Sequence, residues 1–321
     1  VPATTLNRLC GSGMDAVHFA ARAVWAGDYR TVLAGGVESM SRAPYSVPKN
    51  QSGAYGNVTA FDTALGWRYP NPALQQRIPL ESMGETAENV AEKYSVSRVA
   101  QDAFACESHR RAVGARERFR QEILPVEIPR KKGPPAIMDT DEGPREDTSE
   151  EKLAALPPVF RKGGSITAGN SSSLNDGAAG LMIVGEDALG SMKSQPLARI
   201  VSTGIAGVDP RFMGMGPVPA SAMALKKAGL TIGDIDLVEL NEAFAAQALA
   251  VIAQLKVDPA VVNINGGAIA LGHPLGCSGA RILTTLVREM ARRKSRYGLA
   301  TMCIGVGQGI ATVIENVYQQ N

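Results

Sequence analysis

Residues 261–303 read VVNINGGAIALGHPLGCSGARILTTLVREMARRKSRYGLATMC. The stretch opens on an apolar, strand-like run at 261–265 and breaks into a glycine-rich turn. The spacing then predicts a helix over 278–292 and a strand over 297–303. The rhythm extends upstream. Residues 197–206 (LARIVSTGIA) predict a strand, and 217–229 (PVPASAMALKKAG) a helix opened by Pro and closed by Gly. A short strand at 235–240 and an Ala-rich helix at 242–255 follow, and a last strand is predicted near 310–316. Alternation of this kind predicts an α/β protein with a mostly parallel sheet covered by helices.

The start of the chain echoes that unit. A strand predicted at 3–8 leads into Leu9-Cys10-Gly11-Ser12-Gly13, a helix over 13–26, a strand over 31–35 and Gly35-Gly36. The run 261–265 leads likewise into Leu275-Gly276-Cys277-Ser278-Gly279, a helix and a strand. A duplicated half is the expectation, and on it the first copy lacks an opening portion of roughly 60–80 residues. Between 39 and 165 Pro, Gly and charged residues rise around helices expected at 84–94 and 97–120, and 129–151 reads as an exposed loop. The expected division is therefore 1–38 with 166–190 as the first half, 39–165 as an inserted loop domain, and 191–321 as the second half.

Composition bounds the function. With 321 residues, 45% hydrophobic and 5% aromatic, the chain is long enough for two domains and ordinary for a globular protein. A net charge of +2 and a pI of about 8.3 give no global signature of nucleic-acid binding. Residues 107–132 carry eight Lys/Arg against four Glu, a run that reads first as a solvated helix face and second as a phosphate contact. The four Cys, at 10, 106, 277 and 303, form no CxxC pair and have no His at zinc spacing, so free thiols in a reducing compartment are expected and no metal. No run of 18 apolar residues is present to span a membrane. The chain opens Val1-Pro2-Ala3, so targeting is not legible.

Five features carry possible chemistry. Cys10 sits in a Gly-Ser-Gly turn opening a helix, where backbone N–H groups and the helix dipole are expected to lower a thiol pKa. Taken alone it reads first as a small buried residue, as most free Cys are, and second as a nucleophile. His273, one of three His, lies in a Gly- and Pro-bounded loop that suits a general base. Cys303 ends a strand and begins CIGVGQG (303–309), which reads either as an oxyanion-binding turn or as a hairpin with an incidental thiol. Asn241 joins a strand to a helix and is either an N-cap or a water-holding amide. The stretch 167–173 (TAGNSSS) is a polar loop able to hold phosphate or amide groups.

Together these blocks resemble the thiolase family: NRLCGSG (7–13), AGGVESMSRAP (34–44), MGETAENVA (83–91), TAGNSSSLNDGAA (167–179), NEAF (241–244), NGGAIALGHPLGCSGAR (265–281) and CIGVGQG (303–309) occur in family order over essentially the whole chain. The resemblance implies two similar βαβαβαββ halves packed as five αβαβα layers with an inserted loop domain. It implies acyl transfer between acyl-CoA and CoA, with no bound cofactor, in a cytoplasmic homodimer or homotetramer. By the same resemblance Cys10 is acylated, His273 activates it, and Cys303 exchanges the proton of the acetyl carbon. Asn241 then holds a water that, with His273, binds the thioester oxygen, while the N–H groups of Cys10 and Gly305 face the tetrahedral intermediate. Ser172 and Arg145 fall at CoA-contacting positions, and Met83, Met213 and Phe244 at acyl-pocket positions. Short-chain biosynthetic members usually carry His before the Met-Gly of the loop domain; here it is Ser82. The segment 61–68 (FDTALGWR) looks more like degradative 3-oxoadipyl-CoA thiolases. The alternatives are a decarboxylating condensing enzyme, which lacks the second thiol, and a catalytically inactive acyl-CoA-binding relative.

Overall fold

A computed structural model of the chain describes residues 1–49 and 57–317, so positions 50–56 and 318–321 of the divisions drawn above lie outside the described residues. The elements that position the site are α1 (Ser12–Trp25), β1 (Thr31–Ser39), α2 (Met83–Lys93), α3 (Arg98–Gly114), β2 (Asp176–Val184) and β3 (Ala198–Gly207). They continue as α4 (Pro217–Ala228), β4 (Leu237–Leu240), α5 (Ala245–Leu255), α6 (Leu275–Arg293), β5 (Tyr297–Ile304) and β6 (Gln308–Asn316).

The signals that set these boundaries are local. Pro217 opens α4, and Gly229 closes it at φ 69°, a left-handed cap that glycine adopts without a Cβ clash. Ser82 and Ser97 cap α2 and α3, each accepting from a backbone N–H three residues on. No helix among the described residues is long and apolar enough to cross a membrane.

The main sheet has the order β3-β6-β5-β4. It is mixed, correcting the expectation of a mostly parallel sheet: only β4 and β5 pair in parallel, while β6 pairs antiparallel with both β5 and β3. The cause is the tight turn at 305–307, which folds β6 back as a hairpin between two strands that would otherwise be parallel neighbours. The strands expected at 3–8 and 261–265 do not form ladders. Val262 makes a single bridge to Val238, and beyond it Asn263, at φ 47°, uses its side-chain amide in place of a strand. Its Oδ1 accepts from Leu240 N–H at 2.8 Å, and its Nδ2 donates to Leu240 C=O at 2.7 Å.

Strand alternation divides the core. On β5, Leu299 packs with Val238, Leu240 and Val251 toward α4 and α5, whereas Ala300, Met302 and Ile304 pack with Met14, Ile282 and Leu286 of α1 and α6. Beyond α1 and α6 lies the antiparallel ribbon β1–β2. The order is helix, sheet, helix, sheet, with Leu33 (77% exposed) and Val37 (71%) on the outer ribbon face. The echo has a spatial counterpart: α1 precedes the pair β1–β2, as α6 precedes β5–β6. Residues 40–175 separate the first pair, and a three-residue turn the second.

Glycine decides how closely the two copies approach. A Cβ on Gly36 would lie 1.8 Å from the Gly276 carbonyl oxygen, and one on Gly13 2.7 Å from the same atom. The start of α6 is thereby pressed against α1 and β1, carrying the loop that ends in His273.

Candidate active site

Cys10 precedes α1 on a turn of unusual backbone. Leu9 is left-handed at φ 49°, a conformation that costs a non-glycine residue strain unless its surroundings hold it. Here Asn7 Oδ1 accepts from Leu9 N–H at 2.9 Å, and Ser12 Oγ donates to Leu9 C=O at 2.7 Å while accepting from Arg8 N–H at 2.9 Å. The helix N-terminus that begins at Ser12 follows directly.

The electrostatic outcome reverses one expectation. Burial pushes the Cys10 thiol pKa up, assisted by the negative charge of Glu38, although the N–H groups of Gly305 and of Cys10 itself donate toward the sulfur and pull the other way. Desolvation outweighs the two amides, so the resting group is a thiol that needs a base. Cys303, on the β5 face that also carries Leu299, is fully enclosed; burial and then the proximity of Cys10 hold its pKa far above the ordinary value.

His273 supplies a base. It is buried and its pKa is pushed down to about 4, first by burial and then by the Arg281 cation, leaving the ring neutral at pH 7. Its Nδ1 lies 2.6 Å from Ser278 Oγ, and that hydroxyl donates to Pro274 C=O at 3.0 Å. Because the hydroxyl proton is committed to the carbonyl, Nδ1 carries hydrogen and Nε2 keeps its lone pair. Asn241 Nδ2 stands 3.4 Å from Nε2, a long and weak contact, while Asn241 Oδ1 is buried without a partner among the described residues. Asn241 is not an N-cap: α5 begins later than expected, at Ala245, with Phe244 as its N-cap residue. Its position follows from alternation, since Leu237, Glu239 and Asn241 point to the α6 side of the sheet; Leu237 packs with Ile282, and Glu239 faces Arg281.

The expected acyl-pocket residues also converge. Met83, Met213 and Phe244 form one cluster with Cys303, and the Met83 sulfur lies 3.5 Å from where a Cβ of Gly305 would stand. Phe160, which sequence reasoning passed over, completes the wall. Its ring crosses that of Phe244 edge-on at 6.2 Å and fills the space a side chain at Gly84 would need. Ser172 is tied to the same loop, its N–H and Oγ both donating to Ala243 C=O at 3.0 and 3.1 Å. Much of 167–173 is internal wiring: Asn170 bonds Thr167 N–H and Asp102, and Ser171 bonds Thr167 C=O.

Among the described residues, Arg145 makes no side-chain hydrogen bond or ion pair to this group. It is exposed, and its backbone N–H donates to His109 Nδ1 at 3.1 Å. Within the basic run at 107–132, two cations brace the fold: Arg111 donates to the Val262 carbonyl at 2.6 Å and Arg118 to Asn265 Oδ1 at 2.6 Å. Sequence reasoning also overlooked Glu242. Its buried carboxylate accepts from Ser108 Oγ, Asn263 Nδ2 and Ile269 N–H at 2.7, 2.8 and 3.2 Å, bracing the 263–269 loop that leads to His273. The NEAF block was its only signal, because its partners lie 21 to 134 residues from it in the chain.

At one end of the sheet, then, stand two thiols, a neutral imidazole in weak contact with the Asn241 amide, the buried oxygen of that amide and two inward N–H groups. Family models for the thiolase N-terminal and C-terminal domains match residues 1–187 and 194–316. The beta-ketoadipyl-CoA thiolase of Acinetobacter baylyi is 50% identical over 99% of this chain and 80% of its own length. The 3-oxoadipyl-CoA/3-oxo-5,6-dehydrosuberyl-CoA thiolase of Escherichia coli is 52% identical over 99% and 80%. The crystal structure of human mitochondrial 3-ketoacyl-CoA thiolase superposes with a TM-score of 0.91 at 44% identity, covering 99% of this chain and 79% of that one.

Proposed function

The chain belongs to the thiolase family, and we propose that its acyl-CoA acyltransferase reaction runs by a ping-pong route through an acyl group on Cys10. The observation that carries this reading is the pairing of two thiols of raised pKa, Cys303 buried and Cys10 half-buried, at the sheet end that also holds an imidazole kept neutral. In the thiolysis direction His273 Nε2 takes the Cys10 proton and the sulfur attacks the 3-oxo carbon. The developing oxyanion faces the N–H groups of Cys10 and Gly305. The bond between C2 and C3 breaks, its electron pair becoming the enolate of the departing acetyl thioester. Protonated His273 and a water held at Asn241 Oδ1 meet the enolate oxygen, and the Cys303 thiol protonates C2. Incoming CoA gives its thiol proton to the Cys303 thiolate and displaces Cys10 from the acyl group; the departing Cys10 thiolate takes back the proton held by His273, so both thiols and the neutral imidazole are restored. Splitting transfer into two displacements is what the first nucleophile contributes, and the second thiol supplies the carbon acid–base step.

For the substrate we take a 3-oxoadipyl-type acyl chain, on the likeness of 61–68 and the names of the two relatives above; CoA is a substrate, not a resident cofactor. A homodimer or homotetramer in the cytoplasm belongs to the same proposal. Cys303→Ala tests the division of labour. It should retain a burst of Cys10 acylation from acetyl-CoA yet lose thiolysis of 3-oxoadipyl-CoA and acetoacetyl-CoA. Equal loss of both activities would sink the assignment.

A further inference from the structure

The two N–H groups that face the Cys10 sulfur come from opposite ends of the chain, one from the turn at 8–11 and one from the turn at 305–307. Each turn carries a left-handed residue other than glycine, Leu9 at φ 49° and Val306 at φ 65°. Such conformations persist only where neighbouring interactions over-determine them. Within the first turn those interactions are local, from Asn7 and Ser12; they fix its shape but not its distance from the second. Arg8 adds the crossing link. Its Nε donates to Asp15 Oδ2 on α1 at 2.8 Å, and its Nη1 donates to Gln308 Oε1 at 3.0 Å across 300 residues. Arg8 immediately precedes Leu9, and Gln308 lies two residues beyond Val306, so the link spans the two strained positions. Gln308 is also the first residue of β6, paired with Ile304 of β5, and is thereby anchored in the sheet. Around the link the contacts are apolar: Leu9 Cδ1 lies 3.5 Å from the Gly305 Cβ position, and Ile304 fills the space beside Gly11. Apolar packing sets proximity; a directional, charge-assisted bond sets register.

We propose that Arg8 is a positioning residue: its bridge between Asp15 and Gln308 holds the Cys10 amide in register with the Gly305 amide, so that both meet the oxyanion formed at the Cys10-bound carbon. The proposal rests on the acyl-Cys10 reading, and Cys10→Ala is the control for that reading. An inactive Cys10→Ala enzyme upholds it whatever Arg8 does. Displacing one oxyanion donor without removing it should lower kcat for thiolysis by about ten- to a hundredfold, short of the loss that follows deletion of such a donor. KM for the acyl-CoA should stay within about twofold, the mark of an interaction made in the transition state.

Arg8→Met and Gln308→Leu should each show this split. The double variant should be no slower than the worse single one, and Gln308→Glu, which keeps the acceptor, should remain near wild type. The pH midpoint for iodoacetamide alkylation of Cys10 should be unchanged in Arg8→Met, because the bond sets geometry and not the charge state of the thiol. If Arg8→Met fails to fold, Gln308→Leu carries the test. A wild-type kcat in a folded Gln308→Leu enzyme overturns the proposal. So does a loss confined to KM, additive losses in the double variant, or an alkylation midpoint that moves enough to account for the lower rate.

Discussion

Replacing Ser278 by Ala removes the atom that decides which nitrogen of His273 can act as a base. In the folded protein Nδ1 donates to Ser278 Oγ at 2.6 Å, and the hydroxyl passes its own proton to Pro274 C=O at 3.0 Å. Without Oγ, the buried Nδ1–H is left unpaired, at a cost of about 1–3 kcal/mol. The ring escapes that cost by moving its proton to Nε2, which disables it as the acceptor for the Cys10 proton. Each 1.4 kcal/mol is about tenfold in that equilibrium, so the base-competent fraction should fall by about five- to 140-fold, and kcat/KM with it. The assay is thiolysis followed by loss of 3-oxoacyl absorbance, with iodoacetamide alkylation of Cys10 at neutral pH as a second readout that should slow in parallel. Ser278→Thr keeps a hydroxyl and should recover most of the rate. The reasoning is refuted if Ser278→Ala keeps a wild-type kcat/KM and loses only melting temperature, or if Thr does no better than Ala.

Two further outcomes follow from the packing and the buried charges. His273 and His18 have folded pKa values near 4 and 3 against a reference of 6.5, so as pH falls below 6.5 the unfolded chain binds protons first and stability declines. Glu122 and Glu239, raised by burial to about 7 and 8 from 4.5, act oppositely: stability declines as pH rises from 4.5 toward 8, since the unfolded chain releases protons the folded one retains. For these four groups, urea midpoints should peak between pH 4.5 and 6.5, and Glu239→Gln should flatten the alkaline side; a Glu239→Gln midpoint that declines as steeply as wild type from pH 6.5 to 8 contradicts this. Gly36→Ala would drive a methyl to 1.8 Å from the Gly276 carbonyl, backbone against backbone. It should cost about 1–3 kcal/mol or more, and a melting temperature equal to wild type would show that β1 and α6 can separate freely.

Much of the architecture was legible because its signals are short-ranged. Pro217 and Gly229 bound α4 where expected, and the helix after Cys10 was read to within a residue at each end. The failures share one cause. The strand expected at 261–265 dissolves because Asn263 bonds Leu240 with its side chain, and the sheet is mixed because β6 inserts between β3 and β5. Both are choices of partner, which periodicity does not encode. Among the site residues, Cys10, His273, Asn241 and Cys303 stood out through turn chemistry at strand and helix ends. Glu242, Phe160 and Ser278 did not, since each acts through its neighbours in space.

Sequence alone singled out the candidate reactive groups, most of the order of helices and strands around them and the echo of one unit at both ends of the chain, because turn chemistry and periodicity act within a few residues. Tertiary structure decided the charge state and register of those groups. A thiol at a helix start was expected to be acidic, and burial made it the reverse. The amide facing that thiol comes from residue 305, and Arg8 is bonded to Gln308, because folding juxtaposes residues some 300 apart. Desolvation and hydrogen-bond partnership depend on what closes over a residue, and that is a property of the whole packed chain.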